Sequence, residues 1–220
     1  MKVPEQGVRE YAHGLAYRLA CEQLSGITDV EKQCRNSDAQ YIPSLKVITM
    51  DHLNRSYQIS FPDGEVSLID GEETVPLRDK VLILHYFIRA KGTPLSNNNI
   101  TYKELLEGIN YYPTFFTRAI NPIISHFGNE PHRLLDIAQQ FGGHEVDYGD
   151  VAVTINAFSR VPITTVLWKG DDEFAPEGNI IFDSTISDYL PTEDITILCE
   201  ALAWRLVRLL KTGGESPGSK

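Results

Sequence analysis

The sequence predicts a single α+β domain in which antiparallel sheets pack against helices. Three observations lead to this class. The β-branched and aromatic runs come in blocks, the helical patterns lie outside those blocks, and compact turn signals separate neighbouring strands. Strict alternation of strands and helices would instead favour a doubly wound parallel sheet. We expect residues 1–212 to form the domain and residues 213–220, which are rich in Gly, Ser and Pro, to be a disordered tail.

The first half of the chain predicts two helices around a small meander. Apolar residues at helical spacing predict a helix over residues 6–24, and the polar stretch 28–40 that follows predicts a loop. Three short strands are expected at 45–50, 57–61 and 65–69, because a Pro-Asp-Gly turn joins the last two. A broad apolar face over residues 76–90 predicts the second helix.

The second half predicts a helical region, a block of strands and a closing helix. Pro113 suits the first position of a helix, and residues 130–141 predict another. The strand block covers residues 149–183, and whether it shares a sheet with the earlier meander is left open by the pattern. The last helix is expected over residues 192–211, with Thr192 as its N-cap and acidic residues in its first turn.

Composition limits the class of partner and the compartment. The chain has 220 residues and a net charge of −10, and its basic residues are scattered. Such a surface repels phosphate backbones, so we expect neither nucleic acid nor an anionic membrane as a partner. Its three cysteines are far apart, without a CxxC pair, and no apolar run reaches the roughly 18 residues of a membrane span. These features favour a cytoplasmic protein with no classical zinc or iron–sulfur motif.

Several short pieces of the sequence together resemble one prokaryotic family. They are the strand block GDVAVTINAFSRVPITTVLWKGDDEF, the later IIFDSTISDYLPTED, the helix KVLILHYFIRAKGTPL and the aromatic segment at 111–118. In this order they resemble a domain of unknown function, number 3786. The resemblance implies an anaerobic setting and corrinoid-dependent metabolism, and it therefore suggests binding of a corrinoid such as cobalamin, or of another tetrapyrrole. Some members carry an attached cysteine-rich iron–sulfur segment, which this chain lacks, so the resemblance does not extend to electron transfer.

The aromatic segment is the first candidate cofactor site. Its rings can form a flat wall for a planar macrocycle, while an arginine pairs with a carboxylate or phosphate substituent. These candidates are Tyr111, Tyr112, Phe115, Phe116 and Arg118. The alternative is that one of the phenylalanines packs in the core, because helical geometry prevents Phe115 and Phe116 from facing the same way.

Histidines supply the second set of candidates. A corrinoid cobalt or a haem iron can take one imidazole as an axial ligand. His126, His132 and His144 are the candidates, because each lies at a helix end or in a loop. Trp168, at the end of a predicted strand, completes the expected cofactor contacts.

Acidic residues form the third set. Glu173 and Asp183 follow two strands that are neighbours in the sequence, and as a pair they would suit Mg²⁺ or acid–base chemistry. The alternative is that the acidic residues around 171–173 are simply turn formers. No local sequence motif of a nucleophilic enzyme, a Walker loop or a GxGxxG loop occurs.

Three functional hypotheses follow. The first is a cytoplasmic protein that binds a corrinoid or tetrapyrrole for carriage, storage or delivery, with corrinoid-dependent enzymes as partners. The second is a metal-dependent enzyme acting on a phosphate or acyl substrate through Glu173 and Asp183. The third is a ligand-free interaction module that docks through the turn from Trp168 to Phe174.

Overall fold

The computed structural model describes residues 5–213, with side chains from residue 12 onward, and it divides into two compact units. Unit 1 comprises Met1–Pro94 with Asp188–Leu190, and unit 2 comprises Leu95–Ser187 with Pro191–Lys220. Both units combine helices with an antiparallel sheet, which confirms the predicted α+β class. That residues 1–212 form one domain stays a prediction, and residues 214–220 of the predicted tail lie outside the described residues.

Unit 1 contains helices and a four-stranded meander, in the order β1-β2-β3-β4. All of its neighbouring strands are antiparallel, and the predicted three-stranded meander is therefore confirmed and extended by one strand. The elements are α1 (Glu5–Ser25), α2 (Val30–Ser37), β1 (Gln40–Ile42), β2 (Val47–His52), β3 (Arg55–Ser60), β4 (Val66–Leu68) and α3 (Leu77–Arg89).

The loop predicted over residues 28–40 is wrong, because most of this stretch forms α2. Asp29 accepts a hydrogen bond from the Lys32 N–H at 2.9 Å and thereby caps the helix. Asp38 ends it in the left-handed conformation, with φ at 57°. The prediction failed because the stretch is largely polar, although α2 buries Cys34 and Ser37 on one side.

Residues 188–190 belong to unit 1 through specific contacts. Asp188 accepts hydrogen bonds at 2.8 Å from the Lys91 ammonium and from the Thr93 hydroxyl. Tyr189 is fully buried, and its ring stacks on Tyr86 with the centroids 5.8 Å apart. Hydrogen bonds from Lys91 and Thr93 lower the pKa of the Asp188 carboxyl.

Unit 2 contains a five-stranded antiparallel sheet in the order β5-β9-β8-β7-β6. It is a separate sheet from the meander of unit 1, which answers the question that the sequence pattern left open. The elements are β5 (Asn99–Thr101), α4 (Gly108–Phe115), α5 (Asn121–Phe127), α6 (His132–Ala138), β6 (His144–Val146), β7 (Val151–Phe158), β8 (Val161–Trp168), β9 (Glu177–Asp183) and α7 (Thr192–Lys211).

The predicted helix start at Pro113 is wrong. Pro113 lies inside α4, which begins five residues earlier at Gly108 and continues through a π-helical stretch, Phe116–Ile120, into α5. Gly108 fixes this start, since a Cβ there would lie 2.0 Å from the Tyr102 carbonyl oxygen. Glu107 precedes it in the left-handed conformation, with φ at 59°.

Helix α7 has the predicted bounds, but its N-terminus differs from the prediction. Pro191 occupies the N-cap position, and the Thr192 hydroxyl donates instead to the Leu106 carbonyl at 2.9 Å. Its acidic first turn and basic last turn match the helix dipole as predicted. Within residues 5–213, no helix is both long enough and apolar enough to cross a bilayer.

Candidate functional site

The aromatic segment does not form the predicted flat wall. Phe115 is fully buried, and its ring stacks on Tyr102 with centroids 3.8 Å apart and planes 9° from parallel. Tyr111, four residues earlier, is 55% exposed. The alternative of core packing therefore holds for Phe115, because its helix face is directed into the interior of unit 2.

The remaining members of the segment have partners of their own. Phe116 is half-buried beside Tyr112, at a centroid distance of 6.2 Å. Tyr112 also lies under the Lys103 ammonium, 4.2 Å from the ring centroid. The Arg118 guanidinium forms an ion pair with Glu200, with 2.9 Å between Nε and Oε2. Arg118 is thus neutralised within the protein rather than directed at a ligand.

The structure separates the three candidate histidines. His126 is half-buried, with Nδ1 2.8 Å from the Pro122 carbonyl oxygen and its ring against Trp204. His144 is exposed on the edge strand β6. His132 is exposed at the start of α6, and it is the candidate that lines a cleft.

This cleft is the candidate functional site. It has a volume of about 490 Å³ and lies within unit 2, between the start of α6 and the neighbouring ends of β7 and β8. The His132 imidazole, the Lys169 ammonium and two carboxylates give it a polar lining. The lining residues are Pro131, His132, Asp150, Lys169, Gly170 and Asp171.

Both carboxylates of the cleft help to fix the backbone around it. Asp150 accepts a hydrogen bond from the Lys169 N–H at 2.7 Å. Asp171 accepts from the N–H groups of Glu173 and Phe174, at 2.8 and 2.7 Å, and these bonds lower the pKa of its carboxyl. The two carboxylates thus stabilise the loop between β8 and β9. The His132 and Lys169 side chains are therefore the groups of the cleft that are available to bind a ligand.

Glu173 and Asp183 do not form a shared metal site. Glu173 lies in the loop that precedes β9, whereas Asp183 is the last residue of that seven-residue strand. A strand of this length separates its two ends by about 20 Å, so the two carboxylates lie towards opposite ends of β9. The metal-dependent enzyme expected from this pair therefore has no common site for its ion. Among the residues that the structure describes, no cluster of three or more His, Cys, Asp or Glu side chains could hold a metal.

Asp183 instead anchors a loop. Its buried carboxylate accepts hydrogen bonds from the backbone N–H groups of Ser96, Asn97 and Thr185, and from the hydroxyls of Ser96 and Thr185. Burial opposes ionisation, but the hydrogen bonds from Thr185 and Ser96 outweigh it and lower the pKa of Asp183 to about 2. With five donors around one carboxylate, its acceptor capacity is used within the protein.

The turn after β8 presents aromatic side chains to solvent. Trp168 is 41% exposed and Phe174 is 70% exposed. Unlike Phe115, neither ring is packed in the interior of unit 2. Large exposed rings of this kind indicate a binding surface more strongly than scattered exposed aliphatic residues do.

Lys169 and Asp150 were not predicted as site residues. The only local signal was their position beside strand ends, because neither belongs to a recognisable motif. They meet because β7 and β8 are paired in register, with the Asp150 N–H donating to the Leu167 carbonyl at 3.0 Å.

The fold and the cleft define an α+β protein whose second unit carries a polar cleft beside exposed aromatic residues. The chain belongs to the family described as a domain of unknown function, DUF3786, whose model matches residues 29–205. This match confirms the family resemblance that the sequence pieces indicated. No curated protein and no solved structure matches the chain.

Proposed function

We propose that the protein binds a corrinoid or a related tetrapyrrole and carries, stores or delivers it in anaerobic metabolism. One observation supports the site of binding: an exposed imidazole, that of His132, lines the cleft of unit 2. An imidazole at a concave surface is a side chain that can bind a cobalt or iron centre.

The other features of the cleft fit such a cofactor. Its volume of about 490 Å³ lies within the usual range for small-molecule sites, about 300–1,000 Å³, so the cleft would hold one side of a corrinoid rather than enclose it. The Lys169 ammonium can pair with a carboxylate or phosphate substituent, and the exposed ring of Trp168 immediately precedes it in the chain. Arg118, Phe115 and His126 have no part in this site, because their contacts lie within the protein.

The test is spectroscopic. We expect hydroxocobalamin or haem to be retained on a desalting column with the protein and to change its visible spectrum. His132→Ala should abolish the spectral change, because it removes the imidazole that would bind the metal of the cofactor. His144→Ala is the matched control, since it removes an exposed histidine outside the cleft and should leave the change intact.

Two results would count against this proposal. If the wild-type protein neither retains the cofactors nor changes their spectra, cofactor binding is rejected. If His132→Ala produces the same spectral change as the wild type, His132 is excluded as the ligand.

The exposed turn supports a second candidate function, a protein-interaction module. Phe174 is 70% exposed and Trp168 is 41% exposed, and aromatic rings at this level of exposure are typical binding anchors. In this interpretation the rings dock into a partner, such as a corrinoid-dependent enzyme, with or without a cofactor in the cleft.

This candidate is tested with Phe174→Ala in affinity isolation from cells that contain the protein. A true partner should be recovered with the wild type and with the control Leu45→Ala, an equally exposed residue of unit 1, but not with Phe174→Ala. Equal recovery with Phe174→Ala would exclude docking through this turn.

A further inference from the structure

One face of the five-stranded sheet in unit 2 packs against helices. On that face, a Cβ added to Gly178 would lie 2.9 Å from Ile124 of α5, and the neighbouring Ile180 and Phe182 are buried. Because side chains alternate along a strand, the register assigns the intervening residues to the opposite face. We call this opposite surface the open face. Ala152, Thr154, Val166 and Asp183 on it are buried, and its side chains that reach solvent include Asn99, Asn156, Thr164, Trp168, Glu177 and Asn179.

Tyr148 lies across the open face. The next residue, Gly149, adopts a φ of 57°, and a Cβ there would lie 2.8 Å from Val166 and 3.3 Å from Trp168. Gly149 therefore brings the chain into close contact with this side of the sheet. The Tyr148 hydroxyl then accepts a hydrogen bond from the Asn99 side chain at 2.7 Å, while the residue as a whole remains 45% exposed.

The aromatic residues distinguish this surface from an ordinary solvated sheet face. Antiparallel sheets often expose one polar face, so hydroxyl and amide side chains alone require no explanation. Here two large rings, Tyr148 and Trp168, stand about half exposed beside those groups. The hydrogen bond to Asn99 restrains the Tyr148 ring, which lowers the entropy that a ligand must overcome on binding.

Charge restricts the class of ligand. Within the described strands β5 to β9, no lysine or arginine occurs. A phosphorylated or nucleic-acid ligand would find no cation on these strands, because the adjacent Lys169 lines the cleft. Of the two carboxylates on the open face, Asp183 is buried and used by five donors, so Glu177 is the one that reaches solvent. A neutral ligand complements such a surface best.

We propose that the open face binds a neutral oligosaccharide. Each pyranose ring has an apolar C–H face, which would contact the indole of Trp168 and the phenol ring of Tyr148. Its hydroxyl groups would exchange hydrogen bonds with Asn156, Asn179 and Thr164. The Asn179 oxygen already accepts from the Ile180 N–H, so its amide group would donate, and the Thr164 hydroxyl also pairs with that of Thr154. This site does not include the His132 imidazole and does not rest on the corrinoid proposal, although Trp168 is adjacent in sequence to Lys169 of the cleft.

The experiment uses the full-length chain and three neutral probes: cellohexaose, maltohexaose and chitohexaose. We expect at least one to bind with a dissociation constant in the micromolar to millimolar range, measured by calorimetry. Trp168→Ala should weaken that binding by about tenfold or more, as expected when one aromatic stacking contact is lost. Trp204→Phe is the matched control, because Trp204 is exposed to a similar degree, 45%, but lies on α7.

Fluorescence locates the bound sugar independently, because the chain contains only two tryptophans. In the Trp204→Phe variant the remaining indole should shift its emission on titration, whereas Trp204 in the Trp168→Phe variant should not respond. Tyr148→Phe keeps the ring but removes the bond to Asn99, and it should weaken binding less than Trp168→Ala. The proposal fails if none of the three probes binds at millimolar concentration, or if folded Trp168→Ala binds as tightly as the wild type.

Discussion

Similar residues lie on either side of strand β9, but their environments differ. At the C-terminal end of β9, which we call the closed end, Asp183 accepts five hydrogen bonds and Phe182 is buried next to Phe115. At the N-terminal end, which we call the open end, Glu173 and Phe174 are exposed in the loop that comes from β8. Both ends thus carry an acidic residue and a phenylalanine side by side in the sequence.

The difference between the ends arises from what surrounds each side chain. Asp183 lies where the loop before β5 supplies N–H and hydroxyl donors, so its carboxylate stabilises the fold. Glu173 is exposed to solvent, and the adjacent cleft keeps His132 and Lys169 accessible. The comparison indicates that Asp183 and Phe182 at the closed end are structural, whereas the side chains of Glu173 and Phe174 at the open end remain available for contacts.

The largest expected effect comes from the aromatic core at the closed end. Phe115→Ala should destabilise the protein by about 3–5 kcal/mol, because it removes a fully buried ring that stacks on Tyr102. The measurement is the free energy of unfolding from denaturant titration. A loss below about 1 kcal/mol would show that the ring is not part of a packed core.

The matched variant at the open end is Phe174→Ala. Since this ring is 70% exposed, we expect a change within about 0.5 kcal/mol. If both variants were equally destabilising, the distinction between the two ends would be lost.

The second prediction concerns pH and the closed end. The pKa of Asp183 is lowered from 3.8 to about 2, so its carboxylate contributes about 2 kcal/mol above pH 4. That contribution is lost as the pH falls from about 4 through about 2, where the folded protein takes up the proton. Asp183→Asn should therefore lose about 2 kcal/mol at neutral pH, and the gap from the wild type should narrow over this acid range.

Glu173→Gln is the control for this experiment, because Glu173 is an exposed acid at the other end of β9. Its stability should follow the wild-type pH dependence throughout. A difference between wild type and Asp183→Asn that stayed constant down to pH 2 would contradict the role of the ionised carboxylate.

Much of the architecture was predictable from local sequence patterns. The bounds of α7 and the strand block from β7 to β9 were predicted, because their apolar periodicity is strong and uninterrupted. Helix α2 was missed because its composition is polar and its cap, Asp29, resembles a loop residue. The helix start predicted at Pro113 was wrong because Gly108 sets the start of α4, so the preference of proline for the first helical position does not decide here.

The candidate site was less predictable than the fold. His132 was predicted as a ligand candidate, but its cleft partners Asp150 and Lys169 are brought to it by strand pairing across residues distant in sequence. The aromatic density at 111–118 suggested a site, whereas Phe115 serves the core. Residue types indicate what chemistry is possible, and only the register and helix faces decide which side chains remain available.

The smallest expected effect concerns the loop at the open end, where Asp171 accepts hydrogen bonds from the Glu173 and Phe174 N–H groups. Asp171→Ala should leave global stability essentially unchanged, because this side chain is exposed. It should accelerate amide hydrogen exchange at Glu173 and Phe174 by several-fold, since both N–H groups lose their acceptor. Asp171→Asn keeps a side-chain oxygen and should preserve most of the protection. Unchanged exchange in Asp171→Ala would show that this carboxylate does not hold the loop, and the open end would then owe its shape to the backbone alone.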